Sequence, residues 1–367
     1  MEIITLQLLF VMMLGLMARA LARPEPKTEM MQLAGLERRP DGMFAAAAVL
    51  CMILVSGFRT NIGDTYVYSN IYERDTFTWG DLPEMQDEGF VVLQMFLQQF
   101  SHDAQLMIFA SALITLSLIG FVLYRYSPLF ELSLFVFIAS GMFLVSMNGI
   151  RQYLAASIVF ASVHFIMKGK FLGYAGCVLL ASTFHQSALI LLPVYFIVRR
   201  EAWSWSTMGL LALGVLGVIG YQQLSEVLFE AMSETQYGEY SEFNEGGANA
   251  MRVAVSAAPL LLAFIGRKQL KALYPKSDYL VNLALLSIVF MLISTQNWIF
   301  ARFAIYFDLF NLILIAWVVK IFSWRDQPLI YFAIVVLYAG FFWYEYSMTL
   351  NIQYLSDILP SFKGEGY

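Results

Sequence analysis

Charged residues are scarce in this chain of 367 residues. Aspartate, glutamate, lysine and arginine together make up 13% of the sequence, whereas hydrophobic residues make up 59%. Soluble domains carry about 25% charged residues, because their surfaces face water on all sides. The balance excludes an ordinary soluble protein and predicts an all-α integral membrane protein that crosses the bilayer several times.

Cysteine and histidine are also rare. The two cysteines, Cys51 and Cys177, each lie inside an apolar run, and the sequence contains no CxxC motif or Cys/His cluster. We therefore predict neither a disulfide nor a metal site, and nothing indicates a cofactor. The 22 lysines and arginines are scattered singly or in pairs, so no basic patch indicates binding to nucleic acid.

The sequence is rich in long apolar runs. A spanning helix needs roughly 20 apolar residues to cross a hydrocarbon core of ~30 Å. The first run lacks a basic start and a following small-residue cleavage site, so we expect a retained span and not a signal peptide. We predict a single polytopic membrane domain over residues 1–367. About ten full spans are expected, near residues 3–21, 43–58, 105–124, 128–147, 150–167, 203–220, 252–266, 279–294, 303–321 and 327–344.

The apolar run 171–198 is longer than one span requires. It could form one tilted helix or a re-entrant hairpin with two arms of about 14 residues. Cytosolic loops are enriched in lysine and arginine, and this rule favours the hairpin. With a hairpin, the loop 59–104 and the acidic loop 221–250 lie on the extracytoplasmic side. Of the 22 basic residues, 16 then lie inside and six outside, namely Arg59, Arg74, Arg151, Arg252, Arg302 and Lys363.

His185 lies in the middle of this predicted hairpin, with Gln186 beside it. Arms of about 14 residues rise roughly 21 Å from the cytosolic side, which places His185 in the outer half of the bilayer. Irregular backbone at that depth requires surrounding protein or a water-filled cavity. We expect His185 to face an outward-open polar cavity. The alternative is an imidazole that bonds a neighbouring carbonyl and only joins the helices of the bundle.

Three arginines recur at helix ends on the same outer side. Arg59 ends the second span, Arg151 opens the fifth after "MNG", and Arg302 opens the ninth after "TQNWIFA". Each could be an anchor whose charged end reaches the interface. Exterior arginines are scarce under the positive-inside rule, however, so we favour a cluster. Guanidinium groups bind phosphate through two parallel hydrogen bonds, and a cluster would therefore suit the pyrophosphate of a lipid-linked sugar.

The outer loop 59–104 adds further polar groups. Asp64 follows Arg59 closely and could pair with it or with another arginine. Tyr66 and Tyr68 come next, and tyrosines occur both in carbohydrate sites and in the aromatic belt at membrane interfaces. Glu88 begins the stretch "GFVVLQMFLQQF", which is too short to span and predicts a short interfacial helix.

The ninth span carries two more candidates. Tyr306 shares a helix face with Arg302, because four residues separate them. Asp308 lies deeper and points elsewhere. A carboxylate inside a membrane needs a partner, so Asp308 is either a proton acceptor or one member of a structural pair.

At these residues the chain resembles a known family. Five pieces match, in order and spacing, the EpsG-like family of bacterial exopolysaccharide polymerases, which are related in role to Wzy. The resemblance extends from about Gly57 to Tyr346, and its most specific parts surround Arg151 and His185. The first fifty residues and the loop 221–250 carry no recognised motif. The pieces are "FRTNIGDTYVY", "DEGFVVL", "MNGIRQYLAASIVF", "STFHQSALILLPVY" and "ARFAIYF".

The resemblance implies a multi-pass, GT-C-like enzyme in the bacterial plasma membrane, with its active site facing outward. Such an enzyme joins oligosaccharide repeat units. Its donor would be a growing glycan on undecaprenyl pyrophosphate, and its acceptor would be the non-reducing sugar of another lipid-linked unit. The transfer would use no nucleotide sugar and no obligatory metal. A flippase and chain-length regulator proteins are the protein partners that this role suggests.

The same resemblance suggests roles for the candidate residues. Arg151 and Arg302 would stabilise the pyrophosphate leaving group as preorganised cations. His185, Asp64 or Glu88 could accept the proton of the acceptor hydroxyl, and His185 is favoured because the ordinary pKa of histidine lies near neutral pH. His185 could instead donate a hydrogen bond to the pyrophosphate. Substrate contacts are expected from Arg59, Tyr66, Tyr68, Gln152, Gln186 and Tyr306.

Two other functions fit part of the pattern. A flippase for lipid-linked oligosaccharides would also gather cations in a membrane cavity, but it should show paired internal repeats, and the sequence shows none. A membrane acyltransferase would use a histidine, but its acyl donor usually arrives from the cytosol, whereas His185 is predicted to face outward.

Overall fold

The computed structural model describes residues 2–24, 36, 38–221, 247–350 and 353–358. Within these residues, the strands are a single antiparallel pair of two residues each, Arg23–Pro24 and Arg38–Arg39, and nearly all other regular structure is helical. The predicted acidic loop 221–250 lies almost entirely outside the described residues. The all-helical class is therefore confirmed for the described part of the chain.

The chain divides into two compact units, while its organisation as one membrane domain stays a prediction. The first unit comprises Met1–Leu192 and Phe322–Tyr367, and the second comprises Pro193–Ile321. The α-helices of the first unit are α1 (Glu2–Ala20), α2 (Gly42–Gly57), α3 (Thr65–Arg74), α4 (Glu88–Gln98), α5 (Ala104–Tyr126), α6 (Phe130–Ala139), α7 (Met142–Asn148), α8 (Ile150–Ala161), α9 (Val163–Lys168) and α10 (Phe171–Phe184).

The described residues of the second unit contribute six further α-helices, and the chain then returns to the first unit. Short 3₁₀ helices occur at Leu82–Glu84 and Gln186–Leu191, and a π-helical turn occurs at Tyr344–Thr349. The remaining α-helices are α11 (Val194–Val198), α12 (Trp205–Ile219), α13 (Ala250–Ile265), α14 (Arg267–Leu273), α15 (Ser277–Ile293), α16 (Ile299–Lys320) and, in the first unit, α17 (Gln327–Trp343).

The described helices support five to seven membrane spans, and the predicted ten full spans are not confirmed. Two bent pairs, α6 with α7 at 59° and α13 with α14 at 81°, raise the count from five to seven if each pair is one span. Other predicted spans form helices of 10–17 residues, which rise at most about 26 Å. The helices that are long and apolar enough are Glu2–Ala20, Ala104–Tyr126, Ile150–Lys168, Ile299–Lys320 and Gln327–Thr349.

The predicted span 128–147 is not one straight helix. Gly141 separates α6 from α7 and has a φ of +89°, a left-handed conformation that glycine adopts without a Cβ penalty. The following helix therefore leaves at an angle of 59°. An apolar run records composition, but it does not record where a glycine turns the chain.

A cluster of buried side chains in the first unit joins four helices. Tyr72 of α3, Phe90 of α4, Met107 of α5 and Leu154 of α8 pack together, and each is at most 3% exposed. Burying a large apolar side chain contributes roughly 1.5–3 kcal/mol. The cluster therefore fixes the start of α4 beside the start of α8.

The chain reverses direction at His185. α10 ends at Phe184, and His185 is extended, with φ −159° and ψ 110°. The Tyr174 hydroxyl near the start of α10 then donates to the Leu191 carbonyl at 2.8 Å. A continuous helix would hold these two residues roughly 25 Å apart. The reversal that a hairpin requires is therefore present, while its depth in a membrane stays a prediction.

In the second unit, α15 and α16 pack along most of their length. The Phe290 ring stacks on Phe303 and Phe307, with centroid distances of 5.6 and 5.7 Å. Ser287 of α15 donates a hydrogen bond to the Asp308 carboxylate of α16. The partner that a carboxylate in a predicted span requires is therefore a serine hydroxyl on the neighbouring helix.

Candidate functional site

The carboxylate of Asp87 is the centre of a buried polar cluster in the first unit. Its side chain is 1% exposed. Oδ2 accepts a hydrogen bond from the Arg151 guanidinium at 2.8 Å and lies 3.3 Å from Nδ1 of His185. Oδ1 accepts the backbone N–H of Gln186 at 2.9 Å. A buried carboxylate with a cation and two further partners satisfies the condition under which a charge is retained away from water.

Three separate segments bring these groups together. Asp87 precedes α4 and has a left-handed backbone, with φ 57° and ψ 50°. Arg151 lies in the first turn of α8. His185 and Gln186 form the turn between α10 and the following 3₁₀ helix. Left-handed conformations are uncommon outside glycine and cluster at functional sites, although aspartate and asparagine tolerate them better than most residues.

Gly89 allows α4 to approach the end of α10. A Cβ at position 89 would overlap Thr183 Oγ1 and would lie 2.8 Å from Thr183 Cβ and 3.0 Å from the Thr183 carbonyl oxygen. Such contacts are far closer than van der Waals distance, so any side chain would push the two helices apart. Gly89 thus sets the spacing that lets Asp87 reach His185.

Tyr68 holds the side chain of Arg151. Arg151 Nε donates to the Tyr68 hydroxyl at 3.2 Å, and the guanidinium carbon lies 5.6 Å from the centroid of the Tyr68 ring. A cation over a tyrosine face is attracted by the ring quadrupole. The Arg151 side chain keeps 33% of its surface exposed, so an anion outside the protein can reach it.

Arg59 is buried against its own protein. The residue is 1% exposed, and its guanidinium donates to the Met147 carbonyl at 2.7 Å, to the Thr65 hydroxyl at 3.1 Å and to the Ser56 carbonyl. These bonds join the end of α2 to α3 and α7. In the loop 59–104, Arg59 bonds the hydroxyl of Thr65, which is the residue after Asp64.

The other candidates of the first unit lie in different surroundings. Asp64 and Glu88 are exposed, and Tyr66 is 74% exposed. Gln152 is 4% exposed inside α8. Gln186 joins the cluster through its backbone, while its residue surface is exposed. Of the sequence-predicted residues, the structure therefore brings together Arg151, His185, Gln186 and Tyr68.

Asp87 is the site residue that the sequence interpretation missed. The prediction instead selected the neighbouring Glu88 as a possible proton acceptor. Asp87 occupies the N-cap position of α4. Aspartate is common at this position because its side chain can accept hydrogen bonds from the first backbone N–H groups. In this protein that side chain makes no capping bond and points to His185 and Arg151 instead.

The remaining two candidates lie in the second unit. Arg302 is half-buried, and its guanidinium carbon lies 4.9 Å from the centroid of the Trp298 ring. Tyr306 is fully buried. Across the described residues, no group of three or more His, Cys, Asp or Glu side chains has the arrangement of a metal site.

Comparison with known proteins gives a family but no individual relative. No curated protein and no solved structure matches the chain. The model of the EpsG family matches residues 43–357, a range that contains Asp87, Arg151, His185 and Arg302. The match covers most of the sequence, so this chain belongs to the EpsG family.

Proposed function

We propose that this protein is a Wzy-type polysaccharide polymerase. It joins undecaprenyl-pyrophosphate-linked oligosaccharide repeat units on the outer side of the bacterial plasma membrane, for exopolysaccharide synthesis. The observation that carries this proposal is the buried cluster of Asp87, His185 and Arg151, which combines a proton acceptor with a cation for a phosphate group.

Family and composition support the coarser part of this function. Membership of the EpsG family indicates an exopolysaccharide-related polymerase, and the long apolar helices indicate a membrane protein. The finer statements are proposals: a GT-C-like glycosyltransferase, a lipid-linked donor, an outward-facing site, and a flippase and chain-length regulators as partner proteins.

His185 is the proposed general base. When Nδ1–H donates to Asp87 Oδ2, the other ring nitrogen, Nε2, carries the lone pair that can accept a proton. The acceptor hydroxyl oxygen then bonds to the anomeric carbon of the donor sugar, and its proton passes to Nε2. Asp87 stabilises the resulting imidazolium, as a buried carboxylate does beside a catalytic histidine. The hydrogen bonds of the cluster go to Asp87 and do not include the exposed carboxylates of Asp64 and Glu88.

Arg151 is the proposed ligand of the leaving group. The bond between the anomeric carbon and the pyrophosphate oxygen breaks, and the electron pair leaves on undecaprenyl pyrophosphate. Asp87 and Arg151 carry opposite charges, so proton transfer to His185 makes the cluster more positive as the leaving group becomes more negative. Complementary charge that develops in step with the reaction lowers the barrier. Arg302 is proposed as a further pyrophosphate contact.

Buried Arg59 is proposed to position the loop beyond α2, while Tyr66, Gln152, Gln186 and Tyr306 remain proposed substrate contacts.

A reconstituted assay tests this function. Purified protein in lipid vesicles receives undecaprenyl-pyrophosphate-linked repeat units alone, and the glycan products are separated by size. We expect a ladder of longer glycans from the unaltered protein and none from the His185→Ala and Arg302→Ala variants. Glu84→Gln, an exposed carboxylate three residues before Asp87, is the matched control and should retain the ladder. Movement of the lipid-linked unit across the bilayer without a ladder would instead identify a flippase.

A further inference from the structure

A groove of about 550 Å³ runs along α12 in the second unit. Polar residues line one end of it, and apolar residues line the rest. The residues that define the groove are Arg200, Ser206, Gly209, Leu213, Leu216 and Asn282.

The polar end of the groove is built on a fixed backbone. Asn282 is 5% exposed, and its amide donates to the carbonyl oxygens of Val198 at 3.0 Å and Arg200 at 2.8 Å. Arg200 is exposed, and its neighbours in sequence are Arg199 and Glu201, so the three side chains together carry one positive charge. The N-terminus of α12 adds backbone N–H groups at the same end, because the Ser204 hydroxyl bonds Ser206 and does not cap the helix.

The apolar wall follows one face of α12. Ser206, Gly209, Leu213 and Leu216 recur at helical spacing, and Leu213 and Leu216 are 63% and 58% exposed. This stripe is about 15 Å long, at 1.5 Å per residue.

α12 also packs closely against α15. A Cβ at Gly214 would lie 3.3 Å from Val289 of α15, and a Cβ at Gly217 would lie 3.3 Å from Ile293. Gly214 and Gly217 therefore face α15, while Leu213 and Leu216 stay exposed.

We propose that this groove binds one anionic phospholipid of the bilayer, with its phosphate at Arg200 and Ser206 and one acyl chain along Gly209, Leu213 and Leu216. Charge complementarity accounts for the phosphate, and the exposed leucines account for the chain. Trp205 is 92% exposed beside Ser206, and tryptophan is enriched at the depth of lipid headgroups. A free phosphate ion would use only the polar end. The site lies within the second unit and does not depend on the proposed polymerase activity.

Native mass spectrometry of the detergent-purified full chain, titrated with phosphatidylglycerol, tests this site. Two variants change different parts of the groove. Arg200→Gln removes the cation. Gly209→Leu fills the groove, because a Cβ at Gly209 would meet no atom of the described chain within 4 Å, and leucine is the better helix former. Arg325→Gln is the control, since Arg325 is also exposed but lies outside the groove.

We expect one retained phosphatidylglycerol on the unaltered protein, with apparent affinity about tenfold lower in each groove variant and unchanged in the control. Inorganic phosphate alone, at matched concentration, should leave the lipid bound. If Gly209→Leu binds phosphatidylglycerol as tightly as the unaltered protein, the lipid lies elsewhere. If inorganic phosphate displaces the lipid, the ligand of the groove is a free anion. Either result, or no retained lipid, overturns the proposal. Thermal unfolding of each variant in detergent shows that a loss of lipid does not come from a loss of the fold.

Discussion

Asp87 and His185 are separated by 98 residues in the sequence, yet Oδ2 of the first lies 3.3 Å from Nδ1 of the second. Neither residue reaches this position through regular structure. Asp87 has a left-handed backbone conformation just before α4. His185 has an extended backbone conformation at the turn that follows α10. The pair therefore depends on how α4 packs against the end of α10.

Asp87→Asn should reduce the initial rate of polymer formation by about 10²–10⁴-fold. The asparagine amide has nearly the same size, but its NH₂ group can donate toward Nδ1 and favour the wrong histidine tautomer. Rates are measured from the glycan ladder at equal protein level, with Glu84→Gln as the control. Near-normal rates in Asp87→Asn, combined with loss in Glu88→Gln, would return the carboxylate role to Glu88.

Arg151→Lys should lower the polymerisation rate by at least about tenfold. Lysine keeps the charge but loses the planar fork that bonds Asp87 and Tyr68 and that suits a pyrophosphate. Tyr68→Phe keeps the ring beneath the guanidinium and removes only the hydroxyl acceptor, so its rate should fall by only about two- to fivefold. A lysine variant as active as the unaltered protein would rule out the bidentate role.

Gly89→Ala should reduce activity more than it reduces the amount of folded protein. The added methyl meets Thr183 at less than van der Waals distance, so α4 must shift and Asp87 must move away from His185. Gly176→Ala in α10 is the matched control, because a Cβ there meets nothing within 4 Å in the described part of the chain. Thr183→Gly in the Gly89→Ala background should recover part of the rate, since it removes the closest atoms. If Gly89→Ala and Gly176→Ala behave alike, the helix spacing does not control the site.

Arg59→Met should destabilise the protein by roughly 2–5 kcal/mol, because it leaves the buried carbonyl oxygens of Ser56 and Met147 without their donor. The measurement is thermal unfolding in detergent. Arg74→Met removes an arginine whose side chain is 77% exposed, and it should leave the unfolding temperature nearly unchanged. If Arg59→Met unfolds at the same temperature as the unaltered protein but loses polymerisation, Arg59 contacts substrate instead.

Cysteine labelling tests the side of the membrane on which the cluster opens. Gln186→Cys, in a background with Cys51→Ala and Cys177→Ala, should react with a membrane-impermeant maleimide added to intact cells. Gln186 is exposed at the turn of the hairpin, and the distribution of basic residues predicts that this turn faces outward. Labelling only in inverted vesicles would reverse the predicted topology.

The sequence predicted those parts of the molecule that local composition determines. The helical class and the reversal near His185 follow from apolar runs and from polar residues that interrupt them, and the family follows from the resemblance of short sequence motifs. The predicted number of spans is not confirmed, because apolar composition does not determine helix length: Gly42–Gly57, Trp205–Ile219 and Ser277–Ile293 are shorter than a full span.

The site was predicted only in part, because local composition identifies unusual residues but not contacts between distant ones. Arg151 and His185 are unusual residues for their segments, so the sequence singled them out. Asp87 is an ordinary polar residue before a helix, and its importance lies in a contact across 98 residues. Arg59 resembles Arg151 in sequence, yet their surroundings differ. One is enclosed by carbonyl oxygens of its own chain, and the other keeps a third of its side chain open.

One partner of Asp87 is the main-chain N–H of Gln186. Alanine at position 186 would leave that N–H donor in place, so a survey of the Gln186 side chain alone would describe the site as smaller than it is. Proline is the one standard residue that removes the donor. Comparison of Gln186→Ala with Gln186→Pro would therefore separate what the glutamine side chain does for the glycan from what the peptide bond does for the carboxylate.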